Sequence, residues 1–102
     1  MNKLKDIIET VISKEIDQDY GVFSDGYILQ PTYISAELKG DGNPEEVTTN
    51  YQLDFFYKNK REIIARAKEL IVQLGDYPTN DLSFVWEETV RLWRATVFIE
   101  VI

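Results

Sequence analysis

Two stretches of alternating apolar and polar residues, with a helical stretch between them, constrain this fold most. In residues 47–57 the odd-numbered side chains are apolar or aromatic apart from Thr49, whereas the even-numbered ones are mostly polar. Residues 93–102 alternate in the same way. Between them lies a helical stretch that is expected to begin after the N-cap Asn59 and to end at Gly75. Its apolar residues recur at helical spacing and are Ile63, Ile64, Ala67, Leu70, Ile71 and Leu74. Successive strand residues point to opposite faces, so we predict that this helix packs on one apolar sheet face.

The remaining segments predict the other elements. Apolar residues from Leu4 to Ile16 indicate an amphipathic helix that ends near Gly21. Residues 27–29 and 32–39 read as strands separated by Pro31, and residues 40–46 as the loop of a long hairpin. Residues 82–93 fit either a helix or a hairpin that turns near residues 88–89, and their aromatic and β-branched content favours the hairpin.

Together these segments predict a single α+β domain over residues 1–102. Two helices are expected to pack on one face of a mainly antiparallel sheet of four to five strands, in the order α-β-β-α-β-β. A chain of 102 residues has the length of one domain with a modest core.

Composition narrows the function classes. Eleven basic and eighteen acidic residues give a net charge of −7, which repels a phosphate backbone, so we expect no nucleic-acid partner. The absence of cysteine and histidine removes disulfides, the thiolate nucleophile and the commonest general base. No apolar run has the length of a membrane span, and the expected location is the cytoplasm, with no membrane partner.

No motif predicts catalysis, a cofactor or a metal site. The acidic pairs Glu45–Glu46 and Glu87–Glu88 match no spaced metal-binding loop, and we interpret them as solvated turn residues. Residues 40–42 contain two glycines but lack the rest of a dinucleotide or phosphate-loop motif. Without histidine, the serines have no ordinary activating base, so we do not expect an enzyme.

Several segments resemble the tail-terminator and tail-completion proteins of long-tailed bacteriophages. The similarity is local at residues 51–58, Tyr-Gln-Leu-Asp-Phe-Phe-Tyr-Lys, which lead into the Ile63–Ile64 pair of the helix. Residues 91–100 resemble the closing strand of that family, and residues 31–34 and the first helix also fit. The chain is shorter than some terminators, which leaves open a related neck role such as head closure or head–tail joining.

The resemblance implies a structural role in the virion. Such proteins are non-catalytic neck components that assemble as rings, often hexamers, on the tail tube and present a surface to the head connector. The partners it implies are the chain itself, a tail-tube protein and a head-connector or head-closure protein, first in the host cytoplasm and then in the virion neck.

Two sets of residues are candidates for these contacts. A closed ring needs a heterologous pair of patches on each subunit. We place one patch on the polar sheet face and a contact with a neighbouring ring on the hairpin loop. The predicted subunit-interface residues are Asn50, Gln52, Asp54, Phe56, Arg94 and Phe98, and the predicted loop residues are Gly40, Asp41, Gly42, Asn43, Glu45 and Glu46.

Two other functions are compatible with the sequence. The net charge of −7 permits a small acidic inhibitor of a basic host protein, although the interleaving of acids with Lys and Arg argues against a nucleic-acid mimic. A small-ligand binding module would need a pocket, which sequence does not reveal.

Overall fold

The computed structural model describes residues 2–12, 14–17, 21–22, 24–39 and 43–102. Two helices and four strands follow the predicted order α-β-β-α-β-β, and all strand pairs are antiparallel, in the spatial order β1-β2-β4-β3. The α+β prediction is therefore confirmed, with four strands in the sheet. The elements are α1 (Asn2–Val11), β1 (Gly26–Lys39), β2 (Asn43–Tyr57), α2 (Lys60–Leu74), β3 (Ser83–Glu87) and β4 (Leu92–Val101).

The core lies between the two helices and one face of the sheet. That face presents the odd-numbered residues of β2 and β4, as their alternation predicts. Burying a Val, Leu, Ile or Phe side chain in this core contributes about 1.5–3 kcal/mol to the stability of the fold. The central core residues are Leu4, Ile8, Val11 and Ile12 from the first helical segment, Leu53, Phe55 and Tyr57 from β2, Ile63, Ala67, Leu70 and Leu74 from α2, and Ala95, Val97 and Ile99 from β4.

The ends of α2 follow from local chemistry. The side-chain oxygen of Asn59 accepts hydrogen bonds from the amides of Arg61 (2.8 Å) and Glu62 (3.2 Å), which satisfies two amides that have no partner within the helix. Gly75 closes the other end with φ of 35°, and its amide donates to the carbonyl of Ile71. The predicted cap and end of this helix are confirmed.

The first helix is shorter than the sequence indicated. It ends at Val11, and Ile16 lies in a separate segment that pairs with the start of β1. There the amide of Ile16 donates to the carbonyl of Tyr27 (2.7 Å), and the amide of Tyr27 donates to the carbonyl of Lys14 (2.8 Å). Helical spacing predicted that Ile16 continues the stripe, but backbone pairing with β1 replaces the helical hydrogen bonds beyond residue 12.

The β1–β2 hairpin is longer and more continuous than predicted. Pro31 does not divide β1, because β1 is an edge strand and a register shift between Pro31 and Tyr33 accommodates the proline. At the other end, β2 begins at Asn43 rather than at Val47, so the connecting loop is shorter than residues 40–46. Residues 40–42 lie outside the described part of the chain.

Part of this hairpin extends past the rest of the sheet. β4 pairs with β2 only from Thr49 onward, and Thr49 pairs with Ile34, so residues 35–39 and 43–48 form a two-stranded extension. This extension, together with Ile34 at its base, is here called the ribbon. The domain is correspondingly elongated, with extents of 52 × 29 × 22 Å. A two-stranded ribbon is marginally stable in water unless one of its faces is covered.

Tyr27 connects the first helix to the sheet and gives the fold a pH dependence. Its ring is fully buried and its hydroxyl donates to Glu9 (2.8 Å). Burial, and then this hydrogen bond, raise the pKa of Tyr27 well above its ordinary value of 10.0. The unfolded chain therefore loses this proton at lower pH than the folded chain does.

We expect this group to lower the stability of the domain as pH rises above about 10, the ordinary tyrosine pKa. Below that pH both states keep the proton and the contribution is fully present. The measurement is urea unfolding between pH 8 and 11 for the wild type and for Tyr27→Phe, which cannot ionise. A difference between the two that stays constant across this range would contradict the assignment to Tyr27.

Candidate interaction surfaces

The six predicted interface residues all lie on the sheet face that points away from the helices, here called the outer face. They alternate with the core residues of β2 and β4, and the register places Asn50 beside Glu100, Gln52 beside Phe98 and Phe56 beside Arg94. Their exposure differs widely. Asn50, Asp54 and Phe56 are buried, Gln52 and Arg94 are half-buried, and Phe98 is 41% exposed.

Asp54 is the centre of a polar network on the outer face. Its two carboxylate oxygens accept hydrogen bonds from the Thr96 hydroxyl (2.5 Å) and the Gln52 amide (2.9 Å). Asp54 is 8% exposed, and its carboxylate needs such donors because a buried polar group without partners costs about 1–3 kcal/mol. The structure therefore gives Asp54 a role within its own subunit, whatever it contacts in an assembly.

Two apolar residues of the outer face are buried rather than available to a partner. Phe56 is 6% exposed and Leu92 is 1% exposed, although neither belongs to the main core. Close by, Arg94 pairs with Glu87 across β3 and β4 at 3.0 Å. The accessible apolar surface of this face therefore lies at Phe98, at Val85 of β3 beside Arg94, and at Tyr33 of β1.

Phe98 and Tyr33 form the walls of a groove on the outer face, about 250 Å³ in volume. The register shift in β1 places Tyr33 opposite Asn50, so this tyrosine is 59% exposed on the same face. Asn50 lines the groove between the two rings. Alternation over residues 32–39 places Tyr33 opposite to Ile34 and Ala36, but sequence did not identify Tyr33 as a neighbour of Asn50, because that pairing depends on the register shift.

The rim of this groove is a segment that the sequence left unassigned. Residues 78–80 run along the edge of β4 beyond β3: the amide of Glu100 donates to the Pro78 carbonyl (3.0 Å) and the amide of Phe98 donates to the Asn80 side chain (2.6 Å). The segment holds no run of strand-forming residues, so pattern reasoning had no signal for it.

A second candidate surface is an uncovered apolar strip on the ribbon, formed by Ile34, Ala36 and Val47. Ile34 pairs with Thr49 and Ala36 with Val47, which places all three on the sheet side that packs on the helices further along. The helices do not cover the ribbon, so Ile34 is 69% exposed and Val47 is 48% exposed. We call this surface the ribbon strip.

A third surface lies at the opposite edge of the sheet, between α2 and β3. It is an open apolar groove of about 350 Å³, here called the α2–β3 groove. Ile71 is 39% exposed there, whereas Leu82 and Phe84 are half-buried against the core. The lining side chains are Ile64, Ala67, Lys68, Ile71, Leu82 and Phe84.

The predicted contact loop is only partly described. Asn43, Glu45 and Glu46 belong to β2 rather than to a loop, and Asn43 and Glu46 pair with Lys39 and Glu37. Gly40, Asp41 and Gly42 lie outside the described residues, as do the side chains of residues 43–46. The neighbouring-ring contact of this loop stays a prediction.

Of the two acidic pairs in the sequence, the structure describes the side chains of Glu87 and Glu88, and both make contacts within the domain. Glu87 pairs with Arg94, and Glu88 accepts a hydrogen bond from the Trp86 indole (2.6 Å). Trp86 packs against Trp93 with ring centroids 5.6 Å apart. Across the described residues, no group of three or more acidic side chains forms a metal-binding cluster.

The same described segments contain no helix that is long and apolar enough to cross a membrane. In comparisons with protein-family models, with curated proteins and with solved structures, no match to this chain was found. The surfaces described above are therefore the basis for assigning a function.

Proposed function

We propose that this chain is a non-catalytic structural protein of a phage or prophage neck. In this role it assembles with copies of itself into a ring, often six subunits in such proteins, that caps a tail tube and joins it to a head connector. The proposal combines the resemblance of residues 51–58 and 91–100 to tail-completion proteins with the surfaces of the folded domain. In this role the protein binds other subunits through complementary surfaces and does not catalyse a reaction.

The ribbon strip is the observation that carries the proposal. A ribbon with Ile34 and Val47 exposed on one face leaves aliphatic surface in water that a partner would cover. Its position also matters, because a projecting hairpin reaches beyond the body of its own subunit. A projecting hairpin with exposed aliphatic side chains is an element that we expect to be covered when subunits assemble.

The outer face supplies a second contact surface. Phe98 and Tyr33 offer aromatic area beside the polar groups of Asn50 and Glu100, and such a mixture is typical of protein interfaces. The composition agrees with a non-catalytic role, since the chain contains neither histidine nor cysteine.

Light scattering across a concentration series tests this proposal. We expect a species of two or more subunits, with a mass that is the corresponding multiple of 11.9 kDa, and six subunits would match the resemblance. A tail-tube protein of the same phage or prophage should bind the immobilised chain. A monomer at every concentration that also fails to bind the tube protein would overturn the proposal and favour the acidic-inhibitor alternative.

A matched pair of variants tests the role of the ribbon strip. We expect the double variant Ile34→Ser, Val47→Ser to weaken self-association or tube binding at least tenfold, because each aliphatic side chain contributes about 1.5–3 kcal/mol when buried. Val72→Ser is the control, since Val72 is 75% exposed on α2 and lies outside the three surfaces. Equal affinities for the two variants would remove the ribbon strip from the interface.

A further inference from the structure

We propose that the groove between Tyr33 and Phe98, here called the outer-face groove, binds an exposed arginine side chain of a partner protein. The groove belongs to a single subunit, so its chemistry does not require a ring. That the partner is another neck protein rests on the proposed function.

Four side chains from three strands meet at the outer-face groove. In the register Asn50 lies opposite Tyr33 on one side and opposite Glu100 on the other, so these three form a row across the sheet. Side chains that face each other across antiparallel strands have Cβ atoms about 4.5–5.5 Å apart. Phe98 lies two residues before Glu100, on the same face of β4. A group placed over Asn50 would therefore reach both rings and the carboxylate.

Asn50 is the buried polar group that a ligand of this groove would satisfy. It is 5% exposed and lines the groove between the two rings. Its backbone carbonyl accepts a hydrogen bond from the Thr32 hydroxyl (2.9 Å), but its side-chain amide hydrogen-bonds to no other group in the described part of the chain. Buried polar side chains ordinarily have partners, because an unpaired one lowers stability. A ligand that donates to the Asn50 amide oxygen would supply the partner.

The charge of the groove favours a cation. Glu100 is the single charged residue that lines it, and no described residue forms an ion pair with Glu100. Arg94 lies on the same face of β4, four residues before Phe98, but its guanidinium is paired with Glu87 at 3.0 Å. The carboxylate of Glu100 is therefore available to a basic ligand and would oppose an anionic one.

Arginine is the basic side chain that matches all of these groups. A guanidinium attracts the face of an aromatic ring within about 6 Å, and arginine is found in such contacts more often than lysine. Because it is planar and carries five N–H donors, it can stack on Tyr33 or Phe98 while it donates to Glu100 and Asn50. The groove volume of about 250 Å³ lies below the roughly 300–1,000 Å³ of sites for whole small molecules, which suits one side chain.

An NMR titration with two short peptides tests this inference. The probe is acetyl-Gly-Arg-Gly-amide, and the matched peptide carries citrulline in place of arginine, which keeps the shape but removes the charge. Both are added to the isotope-labelled wild type and to two variants. Glu100→Gln removes the carboxylate charge at the groove, whereas Glu69→Gln makes the same change at an exposed position of α2 outside it.

We expect the arginine peptide to give saturable shifts of the Asn50 side-chain amide and the Phe98 backbone amide. Loss of the charge-assisted hydrogen bonds should weaken binding at least tenfold, both for the citrulline peptide and for Glu100→Gln, whereas Glu69→Gln should bind like the wild type. Equal affinities for the two peptides, or the absence of saturable shifts at Asn50 and Phe98 in the folded wild type, would contradict the inference.

The outcomes also separate this inference from the proposed function. If the arginine peptide binds the groove while light scattering shows only monomers and the tube protein does not bind, the arginine site stands and the neck role is wrong. If a ring forms or the tube protein binds while the arginine peptide does not, only the arginine site is wrong.

Discussion

The variant Asp54→Lys is expected to destabilise the domain strongly. Asp54 is 8% exposed and its carboxylate accepts hydrogen bonds from Thr96 and Gln52, so a lysine would bury an unpaired cation and leave both donors without their acceptor. Breaking a buried charged network in this way costs about 3–5 kcal/mol. That is a large share of the roughly 5–15 kcal/mol that keeps a small domain folded. Circular dichroism with urea unfolding measures the effect.

Glu100→Lys provides the matched control for this change. It makes the same reversal of charge on the same sheet face, but at an exposed position. We expect its free energy of unfolding to stay within about 0.5 kcal/mol of the wild type. Equal stability of the two variants would show that Asp54 is not structural. If Asp54→Lys is destabilised as expected, charge reversal at Asp54 and Arg94 does not distinguish a lost subunit contact from a damaged fold. Phe98 and Glu100 are then the better positions for testing the contact.

The second large effect is expected at Gly26, the first residue of β1, beside which residues 14–16 pair with the strand. A Cβ at this position would lie 2.6 Å from Cγ1 of Ile16 and 2.8 Å from the carbonyl oxygen of Lys14. The isoleucine could rotate away, but the carbonyl is backbone and holds the amide of Tyr27. Gly26→Ala should therefore displace residues 14–16 from β1 and cost about 1–3 kcal/mol.

Amide hydrogen exchange measures this displacement directly. In Gly26→Ala the amides of Ile16 and Tyr27 should exchange faster than the amides at the centre of β4. Gly75→Ala is the control, because its φ of 35° strains an alanine while the nearest atom lies 3.6 Å from the added Cβ. A variant that lost stability without faster exchange at Ile16 and Tyr27 would contradict the clash at Lys14.

The parts of the fold that sequence predicted are those fixed by periodicity and capping. Alternation in β2 and β4 identified the core face, Asn59 and Gly75 marked the ends of α2, and the aromatic and β-branched residues of 82–93 correctly favoured a hairpin. The errors have a common cause. Ile16 was predicted in the first helix but lies outside it, and Pro31 was predicted to interrupt β1 but lies within it. In both cases backbone pairing with a distant segment outweighs the local preference.

Sequence predicted the location of the outer face but not which of its residues are accessible. Alternation places Asp54, Phe56 and Phe98 on one face, yet it does not show that the first two are buried and the third is exposed. That distinction depends on neighbours that are distant along the chain, such as Thr96 beside Asp54. The ribbon strip was not identified because its apolar residues continue the pattern of the core, and only the extent of the helices shows that no described element covers them.

The strand order β1-β2-β4-β3 has a consequence for synthesis of the protein on the ribosome. β4 is the last strand along the chain, yet it pairs with β2 in the middle of the sheet and supplies Ala95, Val97 and Ile99 to the core. A nascent chain can form the local β1–β2 hairpin and α2 early, but the free edge of β2 stays open until β4 has emerged. Folding of this domain should therefore wait until β4 has been synthesised, and ribosome stalling before residue 92 would leave an aggregation-prone strand edge exposed.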